Sequence, residues 1–141
     1  MGKKRIVTQT QEEIKTSSGS SKSKKTKLVK GVAHIGASYN NTTVTVADLN
    51  GNVVSWSSSG LLGFKGARKS TPYAATLVAK DALEKAMKLG LKEVKIILKG
   101  VGPGREGAVR GIASLGLEIG AIIDSTPTAH GGVRPPKPRR V

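Results

Sequence analysis

The stretch TPYAATLVAKDALEKAMKLGLKEVKIILKG, residues 71–100, changes its hydrophobic period partway along, and that change decides the fold class. Thr71 is suited to cap a helix, and Pro72 falls at the first helical position, where a missing N–H costs nothing. Ala74, Leu77, Val78, Ala82, Ala86 and Leu89 then fall on one helical stripe with charges elsewhere, and Gly90 supplies the stop. EVKIILKG, 93–100, reads as a strand. Upstream, GVAHIGAS (31–38) and TTVTVAD (42–48) alternate as strands do, on either side of the turn-prone Asn40-Asn41. Leu49-Asn50-Gly51-Asn52 turns the chain again and VVSW (53–56) returns as a third strand. Downstream, a second helix over 104–115 is closed by Gly116, and LEIGAIID (117–124) forms the last strand. The order βββαβαβ predicts an antiparallel meander joined to parallel crossovers, hence a mixed sheet and an α/β fold.

Charge narrows the function. The 141 residues carry 24 Lys and Arg against nine Asp and Glu, a net +15. The excess is +6 over residues 1–27, +5 over 28–124 and +4 over 125–141. Self-repulsion on this scale opposes a compact state unless a polyanion neutralises it, so nucleic acid is the leading partner and an anionic membrane surface the weaker one. No apolar run approaches the roughly 20 residues needed to span a bilayer, and residues 1–27 lack the apolar segment of a signal peptide. Without cysteine there is no disulfide framework, thiolate zinc site or thiol nucleophile, which suits an intracellular chain.

The charge also divides the chain. Residues 1–27, rich in Lys, Ser and Thr, read as a disordered basic arm, and 28–124 as the α/β domain. Residues 125–141 read as an extended tail, ending HGGVRPPKPRRV. Arg134, Lys137, Arg139 and Arg140 cannot be buried without losing their water, and Pro135, Pro136 and Pro138 donate no backbone hydrogen bond. The prolines pre-extend the tail and reduce the entropy lost on docking, while arginines can fork onto phosphates.

GPGREG, 102–107, satisfies G-x-G-x-x-G between a strand and a helix. A dinucleotide fingerprint is disfavoured, because the loop follows the fourth strand and too little chain remains to complete a nucleotide-binding half. It is otherwise a glycine loop that merely turns the chain, or an anion site in which helix-start amides and Arg105 hold a nucleic-acid phosphate. GFKGARKSTP, 63–72, repeats the second idea, with Lys65, Arg68 and Lys69 ahead of a helix start and Ser70 and Thr71 offering hydroxyls.

Catalysis has little support. His34 sits in a strand, more consistent with a packed or hydrogen-bonded role than a catalytic one, and His130 in a terminal loop. Asp48 and Asp124 are the only carboxylates that pair as Mg²⁺ ligands, too few for a metal nuclease. Asp81 and Glu84 are accounted for by surface pairs with Lys85 and Lys88. Four aromatics, Tyr39, Trp56, Phe64 and Tyr73, exclude rows of stacked bases as the main binding mode. Without heptads, zinc spacing or a helix-turn-helix, the weight moves from sequence-specific DNA to folded RNA.

HIGASYNNTTVTVADLNGNVVSWSSSG, GFKGARKSTPYAA, KGVGPGREGAVRG and RPPKPRRV, in this order over about residues 29–141, resemble the bacterial-type small-subunit ribosomal protein eleven family. The resemblance implies a ribonuclease-H-like fold without nuclease activity or cofactor. It further implies a location on the small-subunit platform of a cytoplasmic or organellar ribosome, bridging helices of 16S-type ribosomal RNA near the Shine-Dalgarno cleft and the exit site. Implied neighbours are small-subunit proteins seven and eighteen, with initiation factor three and mRNA close by. The RNA-facing positions it implies are Asn40 and Asn41; Trp56, Ser58, Ser59 and Gly60; Lys65, Gly66, Arg68, Lys69, Ser70 and Thr71; Gly102, Gly104 and Arg105; and Arg134, Lys137, Arg139 and Arg140. Bacterial relatives usually read P-H-N-G-C-R-P-P where this chain has Ala129-His130-Gly131-Gly132-Val133-Arg134-Pro135-Pro136, so the isoaspartate-prone Asn-Gly step is absent.

Binding to ribosomal RNA should therefore be strongly salt dependent. With six phosphates contacted on duplex-like RNA, affinity should fall by roughly a thousandfold between about 50 and 200 mM salt. A slope of log affinity against log salt near zero, measured by filter binding, would refute the electrostatic account.

Overall fold

The structure, a computed structural model, describes residues 28–138; the arm expected over 1–27 and the tail residues Arg139 and Arg140 lie outside the described residues. The elements are β1 (Lys30–Ala37), β2 (Thr42–Asp48), β3 (Val53–Ser58), a 3-10 turn (Gly66–Ser70), α1 (Pro72–Met87), β4 (Glu93–Lys99), α2 (Gly104–Ala113) and β5 (Glu118–Asp124). They form one five-stranded mixed sheet in the order β3-β2-β1-β4-β5. β1 pairs antiparallel with β2 and β2 with β3, whereas β1–β4 and β4–β5 are parallel.

Local chemistry sets the boundaries. The β2–β3 turn has Gly51 at φ 87°, and Asp48 Oδ1 accepts from the Leu49 amide at 2.7 Å. Thr71 caps α1: its hydroxyl accepts from the Ala74 amide at 3.3 Å while donating to the Arg68 carbonyl at 2.8 Å. Gly90 and Gly116 take φ of 103° and 72° just past the two helices, the left-handed geometry that favours glycine.

Both helices lie on the same side of the sheet, α1 across β2 and β3 and α2 over β1, and they pack against each other. Ile35, Val44, Val46, Val94 and Ile96 meet Val78, Leu83 and Ile112 in this layer, all essentially inaccessible. Each such side chain contributes about 1.5–3 kcal/mol by leaving water. The buried stripe of α1 is Ala74, Ala75, Val78, Ala79, Ala82, Leu83 and Ala86. It differs from the predicted one, since Leu77 and Leu89 are half-buried and Leu83 is in the core. The reason is that α1 is flanked by α2 as well as floored by the sheet, so its apolar arc is wider than one stripe.

Among the described residues nothing covers the opposite face of the sheet. His34 is exposed there instead of packed, in register with Thr45 on β2 and Ile97 on β4, and Trp56 on β3 is 55% exposed beyond Thr45. Asp48 and Asp124 fall at opposite ends of the sheet, Asp48 opposite Gly31 and Asp124 opposite Leu98, so they do not form a shared cation site. Among the described residues there is no group of three or more potential metal ligands and no helix long and apolar enough to cross a membrane.

The two helices touch through small residues. A methyl group on Gly107 would collide with the Pro72 carbonyl oxygen, and one on Gly111 would come within 2.7 Å of the Thr76 carbonyl oxygen. The Thr76 hydroxyl donates to the Gly107 carbonyl at 2.9 Å across the same contact. Alanine at a mid-helix glycine ordinarily gains up to about 1 kcal/mol. Gly107→Ala should instead destabilise by about 1–2 kcal/mol, because overpacking against rigid backbone outweighs propensity. Urea denaturation gives the sign directly, and a stabilised variant would show that the helices can separate without cost.

Candidate nucleic-acid interface

β1, β4 and β5 all run toward one end of the sheet, β3 finishes there, β2 begins there, and both helices start there. This topology brings the separate basic and polar loops together.

The β1–β2 turn is held from within. Ser38 Oγ accepts from the amides of Asn40 at 3.3 Å and Asn41 at 3.1 Å, and Asn41 Oδ1 accepts from the Thr42 amide at 2.9 Å. Asn40 remains exposed with Tyr39, which is 71% exposed. Beside this turn, the buried Ser59 donates its amide to the Thr42 carbonyl at 3.2 Å, and its hydroxyl points to the same oxygen at 3.4 Å. Ser59 is thus a tie between strands, whereas Gly60 is exposed and Ser58 accepts from the Leu61 amide at 3.3 Å.

The 65–71 segment separates cations from hydroxyls. Ser70 donates its hydroxyl to the Ala67 carbonyl at 3.2 Å and Thr71 to that of Arg68, so both protons are already engaged inside the turn. Gly66, at φ 61°, opens the 3-10 turn. Lys65 and Arg68 are exposed and Lys69 half-exposed, and none forms an ion pair among the described residues. Phe64 and Tyr73 meet edge to face at 6.4 Å across this segment, which leaves Tyr73 68% exposed.

The Gly102–Arg105 turn has a different construction. Gly102 and Gly104 are buried, the Gly102 amide donates to the Ala37 carbonyl at 3.0 Å, and a side chain at Gly102 would strike the Ser38 backbone. Arg105 is ion-paired to Asp124 and donates to the Gly100 carbonyl at 2.7 Å. Thr126 completes the knot, its hydroxyl bonded to Asp124 Oδ1 at 2.6 Å and accepting from the Gly100 amide at 3.2 Å. The Thr126 hydroxyl and the Arg105 guanidinium, with the Thr126 amide, hold the Asp124 carboxyl down at about 2. The four residues fasten the β4–α2 turn to the end of β5, so the expected pair of like phosphate sites divides into one exposed cation cluster and one internally paired clamp.

The tail leaves from this knot. Ser125, placed in the tail by sequence, donates its amide to the Leu98 carbonyl at 2.9 Å. From Pro127 to Pro138 every residue is exposed, Arg134 and Lys137 included. Gly131 has φ 59°, the left-handed region that favours glycine. Tyr39 and Tyr73, one residue before Asn40 and just after Thr71-Pro72, are exposed aromatics beside these loops.

The family model for ribosomal protein S11 matches residues 31–140. The small ribosomal subunit protein uS11c of Tupiella akineta is 56% identical over 120 residues, covering 85% of this chain and 92% of the relative. A family match spanning nearly all of the described domain and most of the tail, together with a relative more than half identical over 120 residues, makes this chain a member of the ribosomal protein S11 family, a structural and non-enzymatic rRNA-binding component of the small ribosomal subunit.

Proposed function

We propose that the loop-bearing end of the sheet and the tail bridge helices of 16S-type ribosomal RNA on the small-subunit platform, close to the Shine-Dalgarno cleft and the exit site. The observation that carries this reading is the convergence of the Asn40-Asn41 turn, the Ser58–Gly60 loop, the Lys65–Thr71 segment and the root of the tail at one end. Lys65, Arg68 and Lys69 there have no acidic partner among the described residues. Lys65, Arg68, Lys69, Arg134 and Lys137, with Arg139 and Arg140 beyond the described residues, supply phosphate contacts. Asn40 and Gly60 supply close backbone approach, and Tyr39, Tyr73 and Trp56 supply isolated stacking surfaces. Ser59, Ser70, Thr71, Gly66, Gly102, Gly104 and Arg105 shape the surface from below. The sheet order with both helices on one face supports a ribonuclease-H-like reading of the fold. The folded unit extends through Thr126 with the tail beyond it, and small-subunit proteins seven and eighteen, initiation factor three and mRNA are the neighbours this placement entails.

Exposed cations and the clamp should respond differently to substitution. Arg68→Ala combined with Lys69→Ala should lower the slope of log affinity against log salt by about two on duplex-like RNA, at unchanged thermal midpoint. An unchanged slope would remove these residues from the interface. Co-sedimentation of the parent chain with small subunits in high salt tests the assembly itself.

Asp124→Asn should act on stability. A carboxyl depressed to about 2 from 3.8 stabilises the folded state above the unfolded value and loses that contribution as pH falls through the folded one. The parent should therefore exceed the variant in denaturation midpoint at neutral pH, with the gap narrowing below about pH 4 and closing near pH 2. A gap that persists at pH 2 would mean that the aspartate acts through packing instead of charge.

A further inference from the structure

The uncovered face of the sheet carries one continuous row of side chains. Trp56 on β3 lies in register with Thr45 on β2, Thr45 with His34 on β1, His34 with Ile97 on β4 and Ile97 with Ile123 on β5, so the row crosses all five strands. Trp56 is 55% exposed and Ile123 40%; His34 is exposed, and Thr45 and Ile97 are half-buried. The indole and the imidazole stand two strands apart, about 10 Å, with only a threonine between them. On the His34 side of the row, Thr43, Thr45, Ile97 and Lys99 line an open groove of about 490 Å³. Flat rings set among hydroxyls and cations on an open sheet face suit unpaired bases, which stack on the rings while their phosphates meet the cations. A duplex keeps its bases stacked on one another and has no use for such rings.

Charge and continuity identify the occupant. Lys95 and Lys99 flank Ile97 along β4 on this same face, both exposed and neither ion-paired among the described residues. The acids of the face, Glu93 and Glu118, lie beyond Lys95 at the end remote from the loops, in register with each other, and Glu93 is paired with Lys30 at 2.6 Å. A polyanion therefore meets uncompensated cations on both sides of the row, whereas a basic protein segment, or a second copy presenting the same face, would meet like charge. At its β3 end the row adjoins Ser58 and Gly60, which lead into the loop-bearing end. An unpaired strand leaving helices held there reaches Trp56 directly. We propose that the uncovered face holds an unpaired strand of the ribosomal RNA, with one base stacked on Trp56, another on His34, and phosphates on Lys95 and Lys99. This rests on the reading that ribosomal RNA is bound at the loop-bearing end, and it adds a second surface on which bases instead of helices are bound. Two rings serve one or two nucleotides, which leaves phosphate contact at the loops as the main source of affinity.

Trp56 is the sole tryptophan, so its fluorescence reports this face alone. The full-length chain is titrated with a labelled short oligouridylate and with a labelled short RNA duplex, reading fluorescence and anisotropy together. The single strand should quench Trp56 with the same midpoint as the anisotropy change, and the duplex should bind without quenching. His34→Ala should weaken single-strand binding about tenfold, with duplex binding unchanged as evidence of an intact fold. Lys95→Ala combined with Lys99→Ala should lower the single-strand slope of log affinity against log salt by about 1.4. Failure of the oligouridylate to bind, binding without quenching, equal quenching by the duplex, or an unchanged single-strand affinity in His34→Ala would each overturn the proposal. Arg68→Ala combined with Lys69→Ala should weaken duplex binding and spare the quenching; unchanged duplex binding would count against the loop-bearing end without bearing on the sheet face. In purified small subunits free of mRNA, benzoylphenylalanine replacing His34 should cross-link to ribosomal RNA. A protein product, no product, or one that needs added mRNA would assign the face to another occupant and overturn the proposal.

Discussion

The interface depends on how closely α2 seats against the first turn of the sheet. The β4–α2 loop passes so near the backbone of Ala37 and Ser38 that no side chain fits at Gly102, and α2 then meets α1 with none at Gly107. These contacts set the N-termini of both helices beside the β1–β2 turn. A wider seat would move the loop-bearing parts of the surface apart by the thickness of a side chain. The exposed cations would then no longer share one bound RNA surface. The glycine loop that imitates a dinucleotide fingerprint is explained by this steric demand, with the Gly102 amide already used by the Ala37 carbonyl.

Electrostatics acts on top of that frame and opposes it until the partner arrives. The described residues contain four ion pairs: two within helices, Lys85–Asp81 and Arg110–Glu106, one between strands, Lys30–Glu93, and the clamp Arg105–Asp124. All involve exposed or half-exposed groups, and such pairs add little individually to stability. Far more cations than acids remain, so compactness rests on the apolar layer between sheet and helices, while phosphate relieves the repulsion. The fold can thus form without its RNA and still gain from binding it.

The course of the chain was legible in the sequence because it is written in local chemistry. Alternation marks β1 and β2, asparagine and glycine mark the β2–β3 turn, and Thr71-Pro72 and Gly90 bound α1. Partnerships between distant residues were not legible. Asp124 and Arg105 are 19 positions apart, and only the parallel β4–β5 pairing brings them together. Ser70 and Thr71 have the composition of a phosphate-binding loop, yet their hydroxyl protons are directed into their own turn. Leu83 and Leu77 are equally apolar in sequence, and the position of α2 decides which is buried. His34 required knowledge that one face of the sheet has no helix over it.

Among the described residues one face of the sheet is covered and the other is not, and this follows from having two helices for five strands, both on one side. Covering both faces of a parallel sheet takes crossovers on both sides. Here the two crossovers, α1 and α2, share a side, and Trp56, Ile97 and Ile123 on the other face have no described element over them. A free-standing protein would hold such groups at a solubility cost, whereas a component of a large assembly has neighbours to cover them. The charge is unevenly placed: Lys65, Arg68 and Lys69 stand together at the loop-bearing end and Arg134 and Lys137 in the tail, while residues 111–133 have no Lys or Arg. A polyanion would therefore meet adjacent cations at the loop-bearing end of the sheet and none along the last strand, so the pattern that makes the chain basic also distinguishes one part of its surface from another.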